Sequence, residues 1–194
     1  MLLAPGWAQI NGISNEKLSL PNAAVLAAGL FEFEPGYALQ GDDRSVAFRF
    51  TAGFGKLEAG VSLDGALRNQ AFGLKMGLLP DRLALIAGVE YDTRFHDTAL
   101  GIVYSAPISG RLFADISAVA IRPRDWTFMA GLGFFVSGQL QPILELVADQ
   151  NGFSNISYGF TFRHNDNVLV VVGVEQTFNQ GEEHLMILAF TFSM

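Results

Sequence analysis

Apolar and polar side chains alternate along the chain from about residue 23 onward, in runs of roughly ten residues separated by clusters of Gly, Pro, Asn and Asp. Successive side chains of a β-strand point to opposite faces, so this alternation predicts strands with one apolar and one polar face. The clearest run covers residues 45–54, where one face carries Val46, Phe48, Phe50, Ala52 and Phe54. The chain is therefore predicted to consist of antiparallel β-strands.

The runs predict about twelve strands, centred near residues 29, 49, 60, 74, 87, 102, 116, 131, 144, 158, 172 and 188. About ten strands is the alternative count, because the first and seventh runs alternate least regularly. Each run is long enough to cross a bilayer at a tilt, and a sheet in lipid must close so that no backbone edge stays unpaired. We therefore predict an all-β fold: a single closed antiparallel up-and-down transmembrane β-barrel.

Two kinds of connection alternate between these strands. Short turn signals, predicted to be the periplasmic turns, lie at residues 55–56, 80–81, 109–110, 137–138 and 165–166. Longer and more charged connections, predicted to face outward, lie at residues 35–44, 93–97, 122–125, 149–155 and 179–183. None of them is long enough to form a large lid or plug.

Composition decides which face of the sheet meets lipid. The chain is 50% hydrophobic and only 16% charged, whereas soluble domains average about 25% charged residues. A soluble ligand cage of the lipocalin type is the competing interpretation, but its outer face would carry bulky polar residues, and here the polar face repeatedly carries glycine. Small residues suit a concave interior, so the apolar face is predicted to contact lipid through Phe48, Phe50, Phe72, Leu74, Tyr158, Phe160, Phe162, Phe190 and Phe192.

The polar face carries the charged side chains, which alternation places toward the lumen: Arg49, Lys56, Glu58, Asp64, Lys75, Glu90, Glu145, Arg163 and Glu175. Their acidic excess favours a narrow, mildly cation-preferring passive pore, because rings of one charge select ions at close quarters. The alternative is a closed interior in which these charges pair across strands. Such a barrel would be a non-conducting structural protein that scaffolds a partner in the outer membrane.

Several function classes are disfavoured. The net charge is −7 and no basic cluster exists, which argues against a nucleic-acid partner. The absence of cysteine excludes disulfides, thiolate zinc sites and a cysteine nucleophile. None of the three histidines has a serine two residues later, so we expect no hydrolase dyad, no enzyme activity and no cofactor. Asp92, His96 and Asp97 could ligate a metal in one loop, but solvated loop residues explain them better, and no metal site is expected.

The chain ends extend this interpretation. Residues 1–20 are predicted to be a signal-peptide remnant followed by an irregular segment, and residues 21–194 to be the barrel. The last run carries apolar residues at every second position from Met186 to Met194, which resembles the C-terminal assembly signal of outer-membrane barrels.

Three segments carry a resemblance to a known family: residues 18–23 (LSLPNA), 73–81 (GLKMGLLPD) and 87–90 (AGVE). They resemble the recurring pattern of YjbH-like outer-membrane barrels, which are associated with exopolysaccharide production. The resemblance implies a bacterial outer-membrane location and a role beside polysaccharide export. The partners it implies are membrane lipid and an envelope or polysaccharide-export protein, and it leaves the oligomeric state open.

Overall fold

The computed structural model describes residues 21–66, 70–91, 96–122, 127–136, 139–150, 152–178 and 183–194. These residues contain twelve β-strands: β1 (Phe31–Gln40), β2 (Asp43–Phe54), β3 (Leu57–Asp64), β4 (Gln70–Leu79), β5 (Leu83–Tyr91), β6 (His96–Pro107), β7 (Leu112–Arg122), β8 (Thr127–Val136), β9 (Leu140–Asp149), β10 (Gly152–Asn165), β11 (Val168–Thr177) and β12 (Glu183–Ser193). The midpoints of β2 to β12 lie at or next to the predicted strand centres. No helix long and apolar enough to cross a membrane occurs in this described part of the chain.

Every strand pairs antiparallel with the next one along the chain, and β1 also pairs with β12. The sheet therefore closes into a barrel, with Phe33 opposite Phe192 and Leu39 opposite Met186 at the closing seam. Closure leaves no strand edge with unpaired backbone groups, which is the condition for a sheet in lipid. The predicted all-β antiparallel up-and-down architecture is confirmed.

The connections divide the barrel into two ends. One end, here called the turn end, holds the turns at residues 55–56, 80–82, 108–111 and 166–167 together with the start of β1 and the end of β12. Gly55 and Asp81 adopt positive φ angles of 78° and 52°, as tight turns require. The predicted turns agree with these positions, while the one at residues 137–138 lies outside the described residues. The opposite end is called the loop end.

Two predicted outward loops are wrong. Residues 35–44 are mostly strand, since β1 and β2 continue to a two-residue turn at residues 41–42. Pro35 lies within β1 and has no N–H to donate, and the pairing of β1 with β12 is interrupted at this position, between Phe33 and Gly36. Residues 149–155 are also mostly strand where they are described, since β9 runs to Asp149, β10 begins at Gly152, and Ser154 and Asn155 are buried strand residues.

The first strand was also misplaced by the sequence pattern. A strand centred near residue 29 was predicted, whereas β1 begins at Phe31, so the wall of the barrel does not begin at residue 21. Residues 21–30 form no strand, and we call them the inner segment because residues 21–26 are buried or half-buried, with Ala23 fully buried inside the barrel, while residues 27–30 are exposed. The apolar residues of this segment continue without a break toward β1, and alternation could not separate the two. The prediction for residues 1–20 lies outside the described residues.

The two faces of the wall differ as alternation requires. Along β4, Phe72 and Leu74 are 58% and 49% exposed, whereas Ala71 and Lys75, which flank them, are 4% and 0% exposed. The interior also contains apolar clusters, one of which joins Ala23 to wall residues and the other of which comprises Ile143, Leu169, Val171 and Ala189. Side chains therefore fill part of the lumen.

Candidate functional site: the barrel interior

The structure places most of the charges predicted to line the lumen on the inner face. Glu58, Lys75, Glu145 and Glu175 are buried, and the half-buried ones are Arg49, Asp64, Glu90 and Arg163. Lys56 is the exception, and its prediction as a lumen residue is wrong. It is exposed in the turn between β2 and β3, because β2 ends at Phe54 and the left-handed Gly55 reverses the chain.

The aromatic and aliphatic side chains predicted to face lipid lie on the opposite face. All of them are exposed except Phe48, which is half-buried. The ring of Phe48 stacks on Phe33 with centroids 6.3 Å apart, and Phe33 also stacks on Phe50 at 4.9 Å and on Phe192 at 6.4 Å. The outer face at these described positions is thus an apolar surface of the kind that lipid covers.

Acidic side chains outnumber basic ones on the inner face of the described strands. By strand alternation the inward basic residues with described side chains are Arg49, Lys75 and Arg163, whereas the inward acidic ones are Glu32, Glu34, Asp43, Glu58, Asp64, Glu90, Asp115, Glu145, Asp149 and Glu175. Since charges on one ring of a narrow lumen act together, such an imbalance would favour a negative potential in the interior.

Part of this charge is engaged in cross-strand contacts at the closing seam. The Arg49 guanidinium donates a hydrogen bond to Glu34 Oε2, and the Thr191 hydroxyl donates to the same oxygen at 2.9 Å. Ser193 donates to Glu32 Oε1 at 3.4 Å. These contacts join β1, β2 and β12, so polar side chains inside the barrel reinforce the seam.

A second group of polar side chains lies between β10 and β11. Asn155 Nδ2 donates to Glu175 Oε1 at 2.9 Å, and the Ser157 hydroxyl donates to Glu175 Oε2 at 3.4 Å. All three side chains are buried, and a buried carboxylate such as that of Glu175 needs such donors to offset its lost hydration. On the adjacent strands β6 and β7, the Ser105 hydroxyl donates to Asp115 Oδ1.

The inner segment occupies the lumen beside a buried ion pair. Lys75 Nζ lies 3.3 Å from Glu58 Oε2, and both side chains are fully buried. Lys75 Nζ also donates to the carbonyl oxygen of Ala24 at 2.7 Å, and Glu58 Oε2 accepts from the backbone N–H of Leu26 at 3.0 Å. The segment continues inward to Ala23, whose N–H donates to the Ser105 hydroxyl at 2.9 Å.

Sequence reasoning missed this segment. Its residues are small and apolar and lack a clear period, so they carry no signal for a chain inside a barrel. The sequence of the wall did carry a signal for a chain packed inside the barrel, because glycines interrupt the inner faces of β2 and β4 beside charged residues. A Cβ atom on Gly53 would collide with the carbonyl oxygens of Leu26 and Ala27, and one on Gly77 would lie 3.1 Å from Val25 Cγ2.

The histidines and the suggested metal ligands do not form a site in the described structure. His164 is exposed and its ring centroid lies 6.4 Å from that of Phe162, and His184 is exposed on β12 opposite Gln176. Among the described residues, no group of three or more His, Asp or Glu side chains could hold a metal ion. Asp92 and the side chains of His96 and Asp97 lie outside the described residues.

Outer-membrane channels of known structure share this fold. The KdgM porin matches with a TM-score of 0.67 at 10% identity, over 84% of this chain and 99% of that chain. The COG4313 outer membrane channel from Pseudomonas putida gives a TM-score of 0.65 at 12% identity, over 92% and 100% of the two chains. The outer membrane phospholipase A from Escherichia coli gives 0.57 at 8% identity, over 84% and 89%. The KdgM porin has also been solved with disordered oligogalacturonate.

At these identities the likeness concerns the fold alone. It confirms the predicted closed up-and-down β-barrel, a fold that these outer-membrane proteins share, and the apolar outer face agrees with it. No protein-family model and no curated protein sequence matches the chain. The resemblance to YjbH-like barrels stays a prediction, as does the absence of enzyme activity, since a phospholipase shares the same architecture.

Proposed function

We propose that this chain is a narrow, cation-preferring passive pore of the bacterial outer membrane. The observation that carries the proposal is the acidic excess on the inner face of a closed barrel. Half-buried carboxylates such as Asp64 and Glu90 keep contact with water in the lumen, where they would attract cations and repel anions.

The acidic excess in the lumen also indicates which class of solute the barrel would admit. Oligogalacturonate, the compound solved with the KdgM porin, is a polyanion. A polyanion would meet net repulsion from the carboxylates in this barrel, because like charges confined in a narrow lumen are poorly screened. We therefore propose small cations and cationic organic solutes as the permeating species.

Reversal-potential measurements test the proposal. Purified protein in a planar bilayer under a KCl gradient is expected to show a potassium-to-chloride permeability ratio greater than unity. In the Asp64→Asn/Glu90→Gln variant the ratio should fall toward unity, because two lumenal charges are lost. The matched control is Asp166→Asn, which removes a charge from the exposed turn at residues 166–167 and should leave the ratio unchanged.

Either of two results would overturn this function. Anion preference in the natural protein would contradict the role of the lumenal carboxylates. Folded, heat-modifiable barrel that never conducts, even after the inner segment is released as described below, would exclude a pore.

A non-conducting interaction barrel is the second candidate function. The packing of side chains and of the inner segment in the lumen favours it, since a filled interior leaves the loop end and outer face as the working surfaces. Its partner would be an envelope or polysaccharide-export protein, as the YjbH-like resemblance implies. This candidate would be supported if the protein shows no conductance in planar bilayers and a stoichiometric partner co-purifies after cross-linking in cells. Steady conductance would exclude it.

A further inference from the structure

We propose that the inner segment, residues 21–30, is a gate for the pore, and that the Glu58–Lys75 pair is the latch that keeps it closed. This inference rests on the proposed pore function and concerns its regulation. Three features of the structure support it: the contacts of the latch, the glycines that face the segment, and the hinge at which the segment joins the wall.

The latch binds the backbone of the segment through both of its charges. Lys75 donates to the carbonyl oxygen of Ala24, and Glu58 accepts from the N–H of Leu26, at 2.7 Å and 3.0 Å. These two backbone groups lie two residues apart in the segment, and Glu58 and Lys75 lie directly opposite each other on β3 and β4. One ion pair thus provides partners for a backbone donor and a backbone acceptor that would otherwise be buried in the lumen without a hydrogen bond.

The wall is shaped to receive the segment. Gly53 on β2 and Gly77 on β4 face it, and a side chain at Gly53 would overlap two of its carbonyl oxygens. Val25 fills the space beside Gly77. Since any larger residue at Gly53 would displace the segment, its position in the lumen depends on specific wall residues and is not a general consequence of barrel packing.

The segment has a hinge where it meets the wall. Gly29 adopts a φ of +82°, and an added Cβ there would meet no atom within 4 Å. Backbone hydrogen bonds of 3.0 Å join Gly29 and Leu30 to Gly53, which anchors this end of the segment at the turn end of the barrel. Beyond the anchor, residues 21–27 pair with no strand. Their hydrogen bonds described above all join the backbone of the segment to side chains of the wall. Rotation at Gly29 would therefore withdraw residues 21–27 through the turn end without breaking any strand ladder.

A reversible disulfide tests whether the segment controls conductance. The natural chain contains no cysteine, and a Cβ at Gly77 would lie 4.0 Å from that of Val25, within the range of about 3.5–4.5 Å that disulfides span. The oxidised Val25→Cys/Gly77→Cys protein should stay closed, and reduction should restore openings. The Val25→Cys single variant controls for the reductant.

A second variant removes the latch without leaving a lone buried charge. Glu58→Leu/Lys75→Met replaces the pair by apolar side chains of similar size, so Ala24 and Leu26 lose their partners in the closed state. We expect the open probability to rise about tenfold or more, because two hydrogen bonds to charged groups are lost. The matched control, Glu34→Leu/Arg49→Met, removes the ion pair at the closing seam and should have a much smaller effect.

The two proposals fail in different ways. If the latch variant and the natural protein conduct equally, in both oxidation states of the cysteine pair, the gate is excluded and the pore stands. If no variant conducts, the pore is excluded, and maleimide labelling of Val25→Cys then tests the latch by itself. Faster labelling in the latch background would support a released segment, and unchanged protection would exclude the latch.

Discussion

At the scale of the residue, the interior depends on which side chains lie opposite each other across neighbouring strands. Glu58 and Lys75 lie 17 positions apart in the numbering of the chain, yet the β3–β4 register makes them direct neighbours. The same holds for Glu34 and Arg49 on β1 and β2. Buried charges are tolerated at these positions because each has a partner of opposite sign.

Single substitutions in the buried pair should therefore be worse than the double substitution. Glu58→Gln or Lys75→Met alone leaves one buried charge without its partner and should lower the free energy of unfolding by about 3 kcal/mol. Glu58→Leu/Lys75→Met should lower it less than either single substitution, because the double variant leaves no lone buried charge. Urea-induced unfolding from lipid vesicles measures all three, and additive effects would contradict the coupling.

The glycine pair between β10 and β11 provides a second test at this scale. Gly159 lies opposite Gly173, and a Cβ on Gly159 would lie 2.6 Å from Gly173 Cα and would overlap the Val172 carbonyl oxygen. Because these are backbone atoms, Gly159→Ala should lower the free energy of unfolding by about 1–3 kcal/mol. Gly110→Ala is the control, since a Cβ there meets no atom within 4 Å. Equal melting temperatures for the two variants would refute the close approach.

At the scale of the element, most of the strands were predictable, whereas the contacts of the inner segment were not. Alternation located β2 to β12 because every second side chain meets lipid, which imposes a simple rule on the sequence. It failed at β1, where an apolar segment inside the lumen precedes the strand. Pairing such as that of Ala23 with Ser105, 82 residues away, depends on the closed barrel, and no local pattern encodes it.

The loss of stability caused by a charge on the outer face should depend on how deep in the membrane that position lies. Phe160 lies near the middle of the β10–β11 pair, and Phe178 follows the end of β11 at the loop end. Phe160→Arg should cost about 2–4 kcal/mol of stability in lipid, whereas Phe178→Arg should cost about 0–1 kcal/mol. Folding into vesicles, titrated with urea, measures the difference. Equal costs would mean that the apolar face is not immersed in a bilayer.

At the scale of the whole molecule, the charge of the wall should discriminate between solutes of similar size. The chain carries a net charge of −7, and acidic side chains predominate on its inner face. Vesicles that contain the latch variant should therefore swell faster in arginine than in glutamate, because the lumen concentrates cations. The preference should weaken at high ionic strength, where charges are screened. Swelling rates that do not depend on solute charge would contradict a selective lumen.

Closure of the sheet by its first and last strands also dictates an order of events during biogenesis. The partner of β1 is β12, so the barrel closes only when the last of the twelve strands joins the first. Until then the nascent sheet has two open edges, and the residues ahead of β1 have no cavity to occupy. Enclosure of the inner segment must accompany or follow the joining of the seam. A chain truncated before residue 183 would be left as an open, edge-exposed sheet, prone to pair with other chains.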